Sequence, residues 1–171
     1  MFYPKRQLFV TWTAALLAGC VLHFLYGWWP NAVTALFSPA NESLWEHVKL
    51  VFWPLLGAAL VLNRDRPGGM RPWLLVLPLM CVLMLALGWL YHIALGGEAM
   101  WVDIAIYALV ITLGFWLSTR FSGPFKGIKW VLPILAVLAL ALLIGWFTLY
   151  PPEGLLFRDL AAVGSWLPLP C

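Results

Sequence analysis

Long apolar runs separated by short polar breaks dominate this chain. Five of them, approximately residues 8–28, 44–62, 73–95, 100–119 and 128–149, each come close to the ~20 residues that an α-helix needs to cross a bilayer. The breaks between them hold turn residues: Arg66-Pro67-Gly68-Gly69, Gly96-Gly97 and Ser122-Gly123-Pro124. Lipid offers backbone N–H and C=O groups no water to bond, so apolar segments of this length are predicted as helices that bond internally. The predicted fold class is therefore all-α, an integral membrane bundle of about five transmembrane helices in a single domain covering 1–171. Residues 150–171, after the helix-stopping pair Pro151-Pro152, are predicted to lie at the interface and fold back over the mouth of the bundle. Pro54, Pro78 and Pro133 fall inside spans, where each is expected to kink its helix. Gly57, Gly88, Gly114 and Gly145 are expected to let helices approach closely.

Composition and charge agree with lipid as the main solvent. Apolar residues make up 64% of the chain and charged ones only 10%, against roughly half and a quarter in soluble domains. Twelve tryptophans suit a protein with two water–lipid interfaces. The net charge of +3 comes from short loops, so it argues for topology and against nucleic acid as a partner. Lys5 and Arg6 precede the first span. Arg64, Arg66 and Arg71 fill the second loop, and Arg120, Lys126 and Lys129 the fourth. The first and third loops hold no lysine or arginine. The positive-inside rule then predicts a cytoplasmic N-terminus, an extracytoplasmic C-terminus and residence in the plasma (cytoplasmic) membrane. Leu17-Ala18-Gly19-Cys20 matches a lipoprotein cleavage box, but the apolar run continues through Val21 to Tyr26, and the first span is kept as a membrane helix. Cys20, Cys81 and Cys171 show no metal or redox spacing, and no disulfide framework is expected.

With that topology, ligand-type and acid/base-type side chains gather at the outer ends of the helices. His23 stands five residues before Trp28, about 7 Å inside its span; His47 and His92 each stand about 6 Å from the nearest span end. Asp103 opens the fourth span. The second span begins Asn41-Glu42-Ser43-Leu44-Trp45-Glu46-His47-Val48-Lys49, where Ser43 and Glu46 also read as a capping box, and Lys49 stands where it would neutralise Glu46. Imidazole and carboxylate are what a zinc-type divalent ion, or a general acid/base pair, requires. The expectation is that His23, His47 and His92 are metal ligands and Glu46 the general base. Asp103 is expected as a further ligand or an orienting partner, with Glu42 and Arg158 contacting substrate.

The same residues carry a resemblance. His23-Phe24-Leu25-Tyr26, Asn41-Glu42-Ser43-Leu44-Trp45-Glu46-His47 with the flanking Phe37 to Ala40 and Val48 to Leu50, and the Pro151-Pro152 to Leu156-Phe157-Arg158-Asp159 stretch resemble an uncharacterised bacterial family of small multi-pass membrane proteins. Gly27 stands where that family often has an acid. The resemblance implies membership and topology, and it implies no activity.

Two classes of function remain. One is a metal-dependent or acid/base hydrolase or transferase acting on a lipid-type substrate at the outer face. The other is a non-enzymatic protein: an accessory or structural subunit, or a small-molecule or ion binder or transporter. Membrane lipids are expected partners in both, with a protein partner or a homo-oligomer within the membrane as a further expectation. A through-pathway finds little support, because the inner halves of the spans offer scarcely more polar groups than Thr11, Thr13, Thr112 and Ser118.

Overall fold

The computed structural model describes residues 3–120 and 131–163 of the chain. The turn Ser122-Gly123-Pro124, Lys126 and Lys129, the start of the fifth predicted span, Trp166 and Cys171 lie outside the described residues. The described residues form seven α-helices in order: α1 Lys5–Trp28, α2 Ala32–Phe37, α3 Leu44–Leu62, α4 Met70–Gly88, α5 Met100–Arg120, α6 Val131–Leu149 and α7 Leu160–Val163. A π-helical segment, Trp89–Ala94, prolongs α4. No strand occurs among the described residues. Five helices are long and apolar enough to cross a membrane, α4 together with its π-helical extension counting as one. The chain is thus a multi-pass membrane protein with the all-α architecture expected from its hydrophobic runs.

Helix α3 is the axis of the bundle. It packs against α1 and α4, and α4 in turn against α5. Within its most apolar stretch 67% of α3 is buried, whereas the figure is 17% for both α1 and α6, which spend most of their surface on lipid. Val48, Val51, Phe52, Leu55, Ala58, Ala59 and Leu62 recur at three- and four-residue spacing on α3 and meet Trp73, Leu77, Met80 and Cys81 of α4 and Val110 and Ile111 of α5. Pro54, Pro78 and Pro133 sit within α3, α4 and α6, each of which continues as a helix past its proline. Of the glycines expected at close contacts, Gly88 and Gly114 do face Leu44 and Leu55 tightly, but Gly57 looks into open space.

The first loop is more structured than its sequence suggested. After Trp29 the chain forms α2, capped by Asn31, whose side chain accepts from the N–H groups of Val33 and Thr34. Asn31 and Thr34 complete a reciprocal capping box, which leaves fewer of the helix's first donors unpaired. The capping box anticipated at Ser43 forms only by half. Ser43 Oγ accepts from Glu46 N–H at 3.4 Å, but the Glu46 carboxylate turns to the Ala40 N–H at 2.6 Å and to Lys49 Nζ at 2.5 Å. Lys49 is fully buried and also donates to the carbonyls of Ala35 and Ser38 at 2.7 and 3.3 Å. One ion pair inside the bundle thereby binds α2, the 38–40 segment and α3, and reaches α6 through the Thr148 hydroxyl. Ser38 carries the linkage on to α1: its hydroxyl donates to the Leu22 carbonyl and accepts from the Tyr26 N–H.

Gly19 allows a second close approach. Tyr107 of α5 donates its hydroxyl to the Ala15 carbonyl of α1 at 3.0 Å, and a Cβ on Gly19 would lie 2.0 Å from that oxygen. Gly19→Ala is therefore expected to expel the Tyr107 ring and to destabilise the protein by about 1–3 kcal/mol, the range for overpacked interiors. A thermal unfolding curve in detergent unchanged from wild type would contradict this.

Candidate metal and acid-base site

The helix ends that face away from the basic loops form one pocket. α1 arrives there at its C-terminal end, α3 begins there, α4 reaches it through the π-helical turn, and α5 starts there. The pocket holds about 420 Å³ and is lined by residues of all four, among them His23, Glu42, His47, His92, Glu98 and Asp103. All three histidines of the chain thus converge, along with three carboxylates. Exposed Trp28, Trp29, Trp101, Trp146 and Tyr150 ring this end of the bundle, as aromatic side chains do at a membrane interface.

The polar residues divide into two groups. In the first, donor atoms of His23, Glu42 and His47 all lie within 4.8 Å of one another. His47 Nδ1 stands 2.8 Å from the Ser43 carbonyl one turn back on the chain, which calls for the proton on Nδ1 and leaves a lone pair on Nε2. That Nε2 faces Glu42 Oε2 at 3.4 Å. Two acceptors opposed in this way need a cation between them, either a proton or a metal ion. The spacing suits a metal: ligands about 2.1 Å from zinc stand about 3.4 Å apart at the corners of a tetrahedron. A backbone carbonyl fixing the far nitrogen is also the usual support for a metal-binding imidazole. His23 Nδ1 is buried with no hydrogen-bond partner, an unmet polar atom beside the other two donors, with its ring centroid 5.6 Å from that of His47.

The second group is His92 with Asp103. His92 Nδ1 lies 2.9 Å from the Gly97 carbonyl and Nε2 lies 2.8 Å from Asp103 Oδ1. Both ring nitrogens thus meet oxygen atoms, and the imidazole is held between the Gly97 carbonyl and the Asp103 carboxylate. A tight turn sets this geometry. Gly96 has φ +65, a left-handed backbone that glycine adopts without strain. A Cβ on Gly97 would press into the Tyr91 ring at 2.1 Å, so only glycine lets the Gly97 carbonyl approach His92. Placing His92 on a π-helical turn fits the frequency of such turns at functional sites.

The structure groups the residues singled out from the sequence by proximity. His23 and His47 stand together, and it is Glu42, expected to touch substrate, whose carboxylate lies within 4.8 Å of both. His92 instead pairs with Asp103, which therefore acts as a hydrogen-bond partner of the imidazole. Glu46, expected as the general base, does not line the pocket: the Lys49 ammonium and the Ala40 N–H occupy its carboxylate. Arg158 is exposed and also lies off the pocket lining. The tail does fold back, through a bond from the Trp45 N–H to the Leu156 carbonyl at 2.9 Å and through Phe157 packed on Trp45 and Phe147. It brings Leu160, not Arg158, to the pocket. Glu98 was not foreseen, because a lone acid in a loop carries no periodic or motif signal.

The imidazole of His47 holds the Glu42 carboxyl below the usual carboxylate range, chiefly by hydrogen bonding and against the opposing effect of burial. A depressed carboxylate contributes stability above its unfolded pKa and loses that contribution as pH falls through its folded pKa. Stability of the wild type is therefore expected to fall, through Glu42, only once pH drops below the ordinary carboxylate value of 4.5. Glu42→Gln should lack this acid limb in a pH series of unfolding midpoints, and an identical limb in both proteins would remove Glu42 as its source.

Residues 2–165 match the family described as "Family of unknown function (DUF6512)". No curated protein and no solved structure matches the chain.

Proposed function

The chain belongs to this family of unknown function, and we propose, from its pocket, that it is a membrane hydrolase or transferase that uses a divalent metal on a lipid-type substrate. The observation that carries the reading is the division of one pocket into a His23–Glu42–His47 donor set and a hydrogen-bonded His92–Asp103 pair. A zinc-type ion on the first group would supply Lewis acidity and activate water near neutral pH. His92, backed by Asp103, then has a proton to give to a leaving group, and the pair can take one back. Glu98 and the exposed half of Glu42 keep the mouth polar. The remaining lining is apolar and suits a ligand with a polar head and a hydrocarbon body.

Orientation belongs to the same proposal. Lys5, Arg6, Arg64, Arg66, Arg71 and Arg120 stand at the end of the bundle opposite the pocket. By the positive-inside rule that end faces the cytoplasm and the pocket faces outward, and a bacterial origin would make the membrane the plasma membrane. The non-enzymatic alternative has one observation in its favour. Glu46 and Lys49, part of the conspicuous polar stretch of α3, serve as an internal tie.

Elemental mass spectrometry of the detergent-purified protein tests the reading. About one zinc-type ion per chain is expected, and its presence justifies assaying ester and phosphoester lipids for turnover that chelation abolishes. A metal-free protein at native yield and fold overturns the metalloenzyme and leaves a binding or accessory role.

A further inference from the structure

The pocket is polarised along the membrane normal, and this deepens the proposed function, on which it rests. Each of four helices places a polar residue at the mouth and a small or apolar one about a turn deeper. On α1, His23 stands mouthward of Gly19 and Cys20, and on α3 His47 stands mouthward of Leu50. On α4, His92 stands mouthward of Gly88, with Met84 a further turn down, and on α5 Asp103 stands mouthward of Tyr107. One turn is about 5.4 Å, so polar head and apolar floor are separated by one to two turns. The floor is closed, with Leu50, Met84 and Tyr107 each under a tenth exposed. The Tyr107 hydroxyl is spent on backbone carbonyls of α1 and gives the floor no free polar group.

The side of the pocket differs from its floor. Cys20 and Phe24 of α1 and Ile104 of α5 line the pocket and are also exposed on the outside of the bundle. Cys20 lies eight residues before the end of α1, about 12 Å inside the span, and Ile104 lies four residues from the start of α5, about 6 Å inside. At that depth the surroundings are hydrocarbon, so the opening between α1 and α5 faces lipid tails. We propose that one hydrocarbon chain of a membrane amphiphile enters sideways between α1 and α5. Its end lies against Leu50, Met84 and Tyr107, and its oxygen-bearing head among the histidines and carboxylates. A carboxylate head and a phosphate-ester head share the chemistry that these groups recognise.

The test is photo-crosslinking in vesicles that contain the full-length protein and either of two probes with the same diazirine-bearing acyl chain, a phosphatidylcholine or a free fatty acid. Cross-linked residues are located by peptide mass spectrometry. Labelling of Leu50, Met84 or Tyr107 is expected, and it should fall at least tenfold in Met84→Trp or Leu50→Trp, while labelling of lipid-facing Leu138 and Leu142 persists as the internal reference. Floor labelling by the phosphatidylcholine alone, the fatty acid alone or both identifies the source and supports the proposal. Cross-links confined to lipid-facing positions such as Leu138 and Leu142 overturn it. Metal content is read separately: bound metal with lipid-facing cross-links alone would remove the lateral chain and leave the metal site standing, and floor labelling without metal would do the reverse.

Discussion

Lys49→Met is expected to destabilise the folded protein by about 3–5 kcal/mol, the usual result of removing one partner of a buried ion pair. The reason lies in what is left behind. Lys49 is fully buried and the Glu46 side chain is 5% exposed, so the substitution strands a carboxylate in the bundle and leaves the Ala35 and Ser38 carbonyls without their donor. The same contacts hold α2 and the 38–40 segment onto α3, so the loss should extend to the loop that positions Glu42. Chemical unfolding in detergent micelles, followed by tryptophan fluorescence, measures it. A second variant separates charge burial from lost packing. In Glu46→Gln combined with Lys49→Met no charge is buried, and the glutamine side-chain oxygen can still accept from the Ala40 N–H. Paired replacement of buried ions is often nearly neutral, so the double variant should regain most of the loss. A single variant as stable as wild type would show that the pair does not hold the fold together.

Loss of bound metal is the second large effect. His23→Ala, His47→Ala and Glu42→Gln are each expected to weaken metal binding by more than about 100-fold, beyond the 10- to 100-fold that removing a supporting partner produces. His92→Ala and Asp103→Asn should retain the ion with an affinity within about tenfold of wild type. The distinction follows from the distances. Nε2 of His47 and Oε2 of Glu42 oppose each other at 3.4 Å, a gap that only a proton or a metal ion bridges once Nδ1 is bonded to Ser43. Both nitrogens of His92, by contrast, are already taken by Gly97 and Asp103. Titration of apo-protein with zinc, read by a competing chromophoric chelator, gives the affinities, and each variant's unfolding midpoint shows that it remains folded. Metal lost equally from His92→Ala would return His92 to the ligand set and dissolve the separation into two groups. Metal retained by His47→Ala would end the assignment altogether.

The hydrophobic pattern was sufficient for the five spans, because a bilayer imposes one length and one hydrogen-bonding solution on any apolar run. It also placed the histidines at one end, since helix antiparallelism and rise convert sequence position into depth. What it missed is short-range or lateral. Helix α2 has too few residues for a periodic signal and exists through the Asn31–Thr34 cap and the buried Lys49, which donates to its Ala35 carbonyl. The π-helical turn at Trp89–Ala94 has no sequence mark, although it aims His92 at Asp103.

The sequence by itself thus determined the class of protein, the number of crossings and the level at which its ionisable groups lie. Which of those groups meet was decided by tertiary structure alone. Glu42 and Glu46 stand about one turn apart on the chain, with the same side-chain chemistry and both near His47 in sequence. Burial beside Lys49 turned Glu46 into a tie between helices, and the packing of α1 against the start of α3 left Glu42 facing two imidazoles. Depth is a one-dimensional quantity that the chain encodes directly. Azimuth around each helix depends on how every neighbour packs, and only the assembled bundle sets it.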